Sequence, residues 1–375
     1  MQKFQPFVME RMMSKYEHEV EYNLSESGVQ PLLLSELLEG NPALIEQLLA
    51  TDLNYAYANG TPELRHHIAS LYKGAQPDNV LVTVGAIEAN YITIRSLLTA
   101  GDEIVVMLPN YMQIWGLARN HDLSLKTFSL REKYGWAPDL DELRSMVTAS
   151  TKLIAICNPN NPTGYILSEA EMDDIITTAD RVGAWILADE VYSGAERLTD
   201  QATPSFYGKY DKVIAVGSMS KAYGLPGLRL GWAVGPEDTI DRIWARHEYV
   251  TLSATMLSNK LAALALSPEV RPRLIQRTRD FIRNGYPMLQ AWLDSHPSTF
   301  ALTPPQAAAI ALVRYHLDIN STEFTERLRQ EKSVLIVPGD HFGLDRFLRI
   351  SFGLPHEYLE PALDRVHDLI VELSA

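Results

Sequence analysis

From Asn79 onward, short β-branched runs alternate with stretches whose apolar residues recur every three or four positions. That is how parallel strands joined by crossover helices appear in a sequence. The runs predict strands over Val80 to Val84, Glu103 to Met107, Leu123 to Phe128, Leu153 to Cys157, Trp185 to Ala188, Val213 to Val216 and Leu230 to Val234. Ile87 to Leu98, Asp139 to Val147, Glu169 to Val182 and Thr239 to Tyr249 carry the helical spacing, and Ser168 with Glu171 forms a capping-box pair ahead of the third. Beyond Leu257 the pattern changes. A long helical stretch is followed by a strand over Ala308 to Val313, a helix over Thr322 to Lys332, strands over Val334 to Val337 and Phe347 to Phe352, and a last helix from Glu357. The expected architecture is α/β, with a mostly parallel central sheet flanked by helices and a smaller α+β domain. No repeat, low-complexity tract or linker separates the two parts, so they should pack closely.

Composition narrows the function classes. The chain has 375 residues, 46% hydrophobic and 21% charged, enough for one large domain or two intimately packed ones. With 47 acidic and 33 basic residues the net charge is −14, which argues against a nucleic-acid or anionic-membrane partner. A single cysteine, Cys157, excludes an intrachain disulfide and a multi-cysteine metal cluster, and its place at the end of an apolar run reads as a buried strand residue. No metal ligand set is expected, since the adjacent His66 and His67 sit in a helix beginning near Pro62 and face different ways. Neither a signal-type segment nor a run of membrane-spanning length is present, so a cytoplasmic location is expected.

Open α/β sheets bind ligands at the carboxyl ends of their strands, and five segments near such ends carry suitable groups. Ser218-Met219-Ser220-Lys221, followed by Gly227, Arg229 and Gly231, sets a lysine beside two hydroxyls and an arginine. A neutral lysine amine can condense with an aldehyde cofactor such as pyridoxal 5'-phosphate, while Ser218 and Arg229 grip its phosphate. Gly85-Ala86-Ile87, between a strand and a helix, can present backbone N–H groups to an anion, or be a plain turn. Tyr111, leaving a strand after Pro109 and Asn110, can stack on a cofactor ring or be a half-buried structural tyrosine. Asn158-Pro159-Asn160-Asn161-Pro162-Thr163-Gly164 is a turn whose chemistry does not require all three asparagines. Asp189, in Ala188-Asp189-Glu190-Val191-Tyr192, ends an apolar run; as a buried acid it would need a cationic partner, and otherwise it is a helix cap or surface acid.

With these segments in this order, the chain resembles the class I and II aminotransferases, part of the fold type I pyridoxal-phosphate enzymes, from about Asn23 onward. The resemblance implies a large domain over 45–285 and a small one built from 1–44 and 286–375. It implies Lys221 as the Schiff-base lysine, Asp189 on the pyridine nitrogen, Asn161 and Tyr192 on the phenolic oxygen, and Tyr111 on the ring face. Gly85, Ala86, Ile87, Ser218, Ser220 and Arg229 would hold the phosphate, joined by Tyr55 of a neighbouring subunit, hence a homodimer. Arg349, in Phe347-Leu348-Arg349-Ile350-Ser351-Phe352-Gly353, would take the substrate α-carboxylate; by residue type alone it is a surface arginine. The expected reaction is amino transfer between an α-amino acid and a 2-oxo acid. The alternative is elimination or cyclisation at the β or γ carbon of a cationic amino acid, because one cofactor site serves either.

Tyr22-Asn23-Leu24-Ser25-Glu26-Ser27-Gly28-Val29 falls where this family's N-terminal segment crosses the substrate mouth, and it departs from the usual apolar version. Glu26, Ser27 and Gly28 are therefore candidate substrate contacts, Glu26 for a cationic side chain; alternatively Glu26 faces solvent. A small group within the family that handles guanidino amino acids, including the capreomycidine synthases, is similar in this Ser-rich stretch. Glu17, Glu19 and Glu21 alternate ahead of it and read as a solvated face.

Overall fold

Consecutive residues of the central strands enter opposite cores, which is why these strands read as unbroken apolar runs. Leu153 and Ala155 pack with Ile104, Val106 and Leu187 on one face of the sheet, while Ile154 and Ile156 pack with Val105 and Ile186 on the other. The computed structural model describes residues 4–39 and 41–374. Its large sheet has the spatial order Val80–Thr83, Gly231–Val234, Val213–Ser218, Trp185–Asp189, Thr151–Cys157, Glu103–Leu108, Ser124–Arg131, Ala137–Pro138. Neighbours from Val213–Ser218 to Ser124–Arg131 are parallel. Gly231–Val234 opposes both its neighbours, and Ala137–Pro138, unanticipated from the sequence, closes the far edge antiparallel.

Register decides where the chemistry falls. Cys157 pairs with Asp189, Asp189 with Val216, and Ser218 with Gly231, so the carboxyl ends of three adjacent strands finish side by side. The loops leaving them carry Asn158 to Tyr165, Glu190 to Tyr192 and Met219 to Lys221. The helix after the first strand is Gly85–Leu97, beginning two residues earlier than its periodicity suggests. Ser168 does form the capping box with Glu171 at the start of Glu169–Asp180.

A second sheet orders Phe300–Leu302, Ile310–Tyr315, Phe347–Ser351 and Val337–Pro338, all antiparallel. The single strand expected over Val334 to Val337 divides: Val334–Leu335 pairs in parallel with Tyr22–Asn23, and only Val337–Pro338 joins the second sheet. The N-terminal segment causes the division, since the Leu24 N–H donates to the Leu335 carbonyl at 2.8 Å and the Leu24 carbonyl accepts from the Ser351 N–H at 3.0 Å. Helix Val8–Tyr16 is not among the elements expected from the sequence. Its apolar residues Met9, Met12, Met13 and Tyr16 do fall at helical spacing, and the two buried ones, Met9 and Met13, seat against Val337 and Phe342. No helix among the described residues is long and apolar enough to cross a membrane.

Candidate active site

A cavity of about 350 Å³ opens at the aligned strand ends, within the usual range for small-molecule sites. Ala86, Ile87, Tyr111, Asn161, Asp189, Tyr192, Ser218, Ser220, Lys221, Arg229, Arg349, Glu26 and Ser27 all line it. Gly85 and Gly28 are not on its wall but pack against residues that are. Gly85 has φ +76° and would set a Cβ 2.7 Å from Arg229 Nη2, so the arginine packs directly on this turn. A Cβ on Gly28 would touch the Ser220 carbonyl at 3.5 Å and the Lys221 stem at 3.9 Å. Gly231 supports the same turn from behind, because any side chain there would run into the Ala86 N–H. Tyr55 is not brought to this cavity: it is 79% exposed on the surface.

The Lys221 amine makes no hydrogen bond among the described residues. Burial pushes its pKa down; Arg349 and Arg229 push the same way, and Glu26 and Glu10 oppose them. Burial favours the neutral amine, the form able to attack an aldehyde. Asp189 is 5% exposed and, among the described residues, has no cation within ion-pair distance, although the Lys221 charge acts on it from farther off. Burial raises its pKa, opposed by the Asn90 side chain, which donates to Oδ2 at 3.1 Å, and by the Val191 N–H at 3.3 Å. Such a carboxyl is a receptor for a cation that can enter the cavity.

The three asparagines of the dense turn divide their tasks. Asn158 accepts from the Leu167 N–H and Asn160 ties Thr163 to Pro109, which is turn construction. Asn161 instead accepts from Arg349 Nη1 at 3.2 Å, leaving its amide N–H for the cavity. Arg349 corrects the expectation from residue type. It is 1% exposed in the middle of a wholly buried strand and its Nη2 donates to the Ser25 carbonyl; among the described residues its Nε has no partner and no carboxylate pairs with it. Tyr192 is buried beside Ser27, and burial lifts its hydroxyl well above the usual range. Cys157 is buried, as expected, with its thiol directed at the Pro159 carbonyl.

Two participants escaped the sequence reading. Asn90 lies one helical turn after Ala86 on the cavity face of Gly85–Leu97, a polar residue among Ala89, Ile92 and Ile94 that could have been noticed. Glu10, on the first helix, accepts from the Tyr111 hydroxyl at 2.8 Å across 101 residues of chain, a pairing no local pattern reveals.

Glu190 points into a separate cavity of about 420 Å³ with Tyr72 and Arg271. Burial raises its pKa to about 8, against hydrogen bonds from the Phe206 N–H and the Ser205 hydroxyl and with repulsion from Asp189. The folded protein thus holds a proton here that the unfolded chain releases near its ordinary value of 4.5, so stability falls as pH rises from there towards 8 and levels off above. Glu190→Gln should flatten that slope. Denaturant titrations at pH 5 and 8.5 are expected to show wild type losing about 1–4 kcal/mol more than the variant over this interval.

A mostly parallel sheet whose strand ends gather a buried lysine, a buried acid and a glycine turn packed on an arginine is the arrangement of a fold type I pyridoxal-phosphate enzyme. The chain belongs to the class I and II aminotransferase family, whose pattern matches residues 34–366. Among its relatives, a capreomycidine synthase of Streptomyces vinaceus is 31% identical over 359 residues, covering 92% of this chain and 89% of that one. A pyridoxal-phosphate-dependent aminotransferase from Streptococcus suis superposes with a TM-score of 0.93 at 30% identity, covering 99% of each chain. The pyridoxal-phosphate-dependent cyclase OrfR superposes with a TM-score of 0.88 at 27% identity, covering 99% of this chain and 98% of that one.

Proposed function

We propose that the protein is an aminotransferase that uses pyridoxal 5'-phosphate to move an amino group from an α-amino acid to a 2-oxo acid. The observation that carries this is one cavity shared by the free Lys221 amine and the incompletely bonded Arg349 guanidinium. The site fits the cofactor: Asp189 would hold a proton on the pyridine nitrogen, and Asn161 and Tyr192 would hold the phenolic oxygen. Ala86, Ile87, Ser218, Ser220 and Arg229 would hold the phosphate, and Tyr111 would lie against the ring. When bound, the cofactor supplies an electron sink for the pair left at the substrate α carbon. Arg349 takes the α-carboxylate as a bidentate partner and so sets the α carbon near Lys221. With the cofactor held there, the Lys221 amine would serve as the base that takes the α-proton and the acid that returns it.

The exposed run Leu49, Leu53, Tyr55 and Tyr57 supports a homodimer, in which a second copy covers these residues and Tyr55 reaches its neighbour's cofactor phosphate. A second reading is elimination or cyclisation on a cationic amino acid. It is favoured by Glu26 on the cavity wall and by the likeness to a capreomycidine synthase and a cyclase. Mixing the holoenzyme with single amino acids, without any oxo acid, separates the two. Transamination should release one equivalent of oxo acid per site and stop; continuing turnover without an acceptor would overturn it in favour of the second reading.

A further inference from the structure

Helix Val8–Tyr16 places Glu10 on the wall of the cavity that holds Lys221 and Arg349, and Glu26 lines the same cavity from the following segment. Neither carboxylate has a lysine, arginine or histidine within ion-pair distance among the described residues; the partner of Glu10 is the Tyr111 hydroxyl. Glu17, at the end of the helix, belongs to the same neighbourhood. Burial raises its carboxyl, and Glu26 and Glu10 raise it further against the opposing pull of His18, whose side chain is 90% exposed. Like charges facing one space favour a cation between them.

The opposite sign is also built in. Arg349, 1% exposed and with its Nε unpartnered, is a fixed cation lining the same cavity. A ligand that satisfies all of these groups carries one carboxylate for Arg349 and one positive charge for the acidic pair.

We propose that Glu10 and Glu26 together seat the cationic side chain of the amino-acid substrate, a guanidinium in particular, making helix Val8–Tyr16 a specificity element. The inference rests on the reading that Arg349 takes the α-carboxylate. A guanidinium presents several N–H donors in a planar fork and can engage two carboxylates at once, whereas a neutral side chain brings no charge to offset theirs and an acidic one is repelled. Glu10 also ties the seat to the ring-facing Tyr111, so a bound cation and the tyrosine hydroxyl share one carboxylate.

Arginine and citrulline differ by a guanidinium against a neutral ureido group of nearly the same shape, and so isolate the charge. Dissociation constants for both are read from the cofactor absorbance change on mixing with holoenzyme, and the melting-temperature increase each ligand gives is recorded alongside. Wild type is expected to favour arginine by about tenfold or more, and Glu10→Gln and Glu26→Gln each to reduce that ratio several-fold while binding citrulline as before. A role of Glu10 confined to propping Tyr111 would weaken both ligands equally and overturn its place in the seat. Equal binding of both ligands to wild type would remove the seat but leave the amino-acid reading intact. Binding of neither, with the cofactor still held on Lys221, would remove that reading and the seat with it.

Discussion

Lys221→Ala is expected to abolish both the visible absorbance of lysine-bound cofactor and turnover, while leaving the protein folded. The amine has no hydrogen-bond partner among the described residues, and burial already disfavours its charge, so truncation breaks no native pair. Chemistry suffers in full, because no other amine lines the cavity. Absorbance spectra, product formation and circular dichroism on the same preparation check the three parts. Full activity in the variant would overturn the assignment of Lys221.

The second large effect is expected at Arg349. Arg349→Ala should lower kcat/KM for the amino acid by about 10²- to 10³-fold, chiefly through KM, the scale of losing a buried charge-assisted pair. The cofactor spectrum should be retained, since Arg349 meets Asn161 and Ser25 and is not among the residues proposed for the phosphate, the Gly85 turn, Ser218 and Arg229. Steady-state kinetics beside a cofactor titration separate the two. An unchanged KM would take Arg349 out of substrate binding.

The residues proposed for the cofactor, which share one cavity, stand out in the sequence because they interrupt or terminate apolar runs. Asp189 closes Trp185-Ile186-Leu187-Ala188, and Lys221 follows the run over Val213 to Val216. Both faces of the sheet are covered, so these runs are continuous and their ends stand out. Residue type alone makes Arg349 a surface arginine, but its setting in Phe-Leu-Arg-Ile contains the contrary clue, since an arginine inside a buried strand must be held by something it pairs with. The roles of Asn158, Asn160 and Asn161 could not be divided without coordinates, because all three belong to one turn and only its path turns the third towards Arg349. Glu10 depends on contacts made far along the chain: its helix is seated by Val337 and Phe342 and its hydroxyl partner is Tyr111. The helix itself is written in the spacing of Met9, Met12, Met13 and Tyr16, but periodicity says nothing of which distant residues it meets.

The cavity draws on residues from Met9 to Arg349, and that span has a consequence on the ribosome. Every lysine, acid and anion-binding group assigned to the cofactor within one chain has been synthesised once Arg229 emerges. The first helix, made earliest, must still wait more than a hundred residues for Val337 and Phe342, the surfaces on which Met9 and Met13 come to rest. A nascent chain therefore carries the residues proposed for the cofactor before it carries Arg349 or the surfaces that seat the first helix, so the proposed substrate side is completed last.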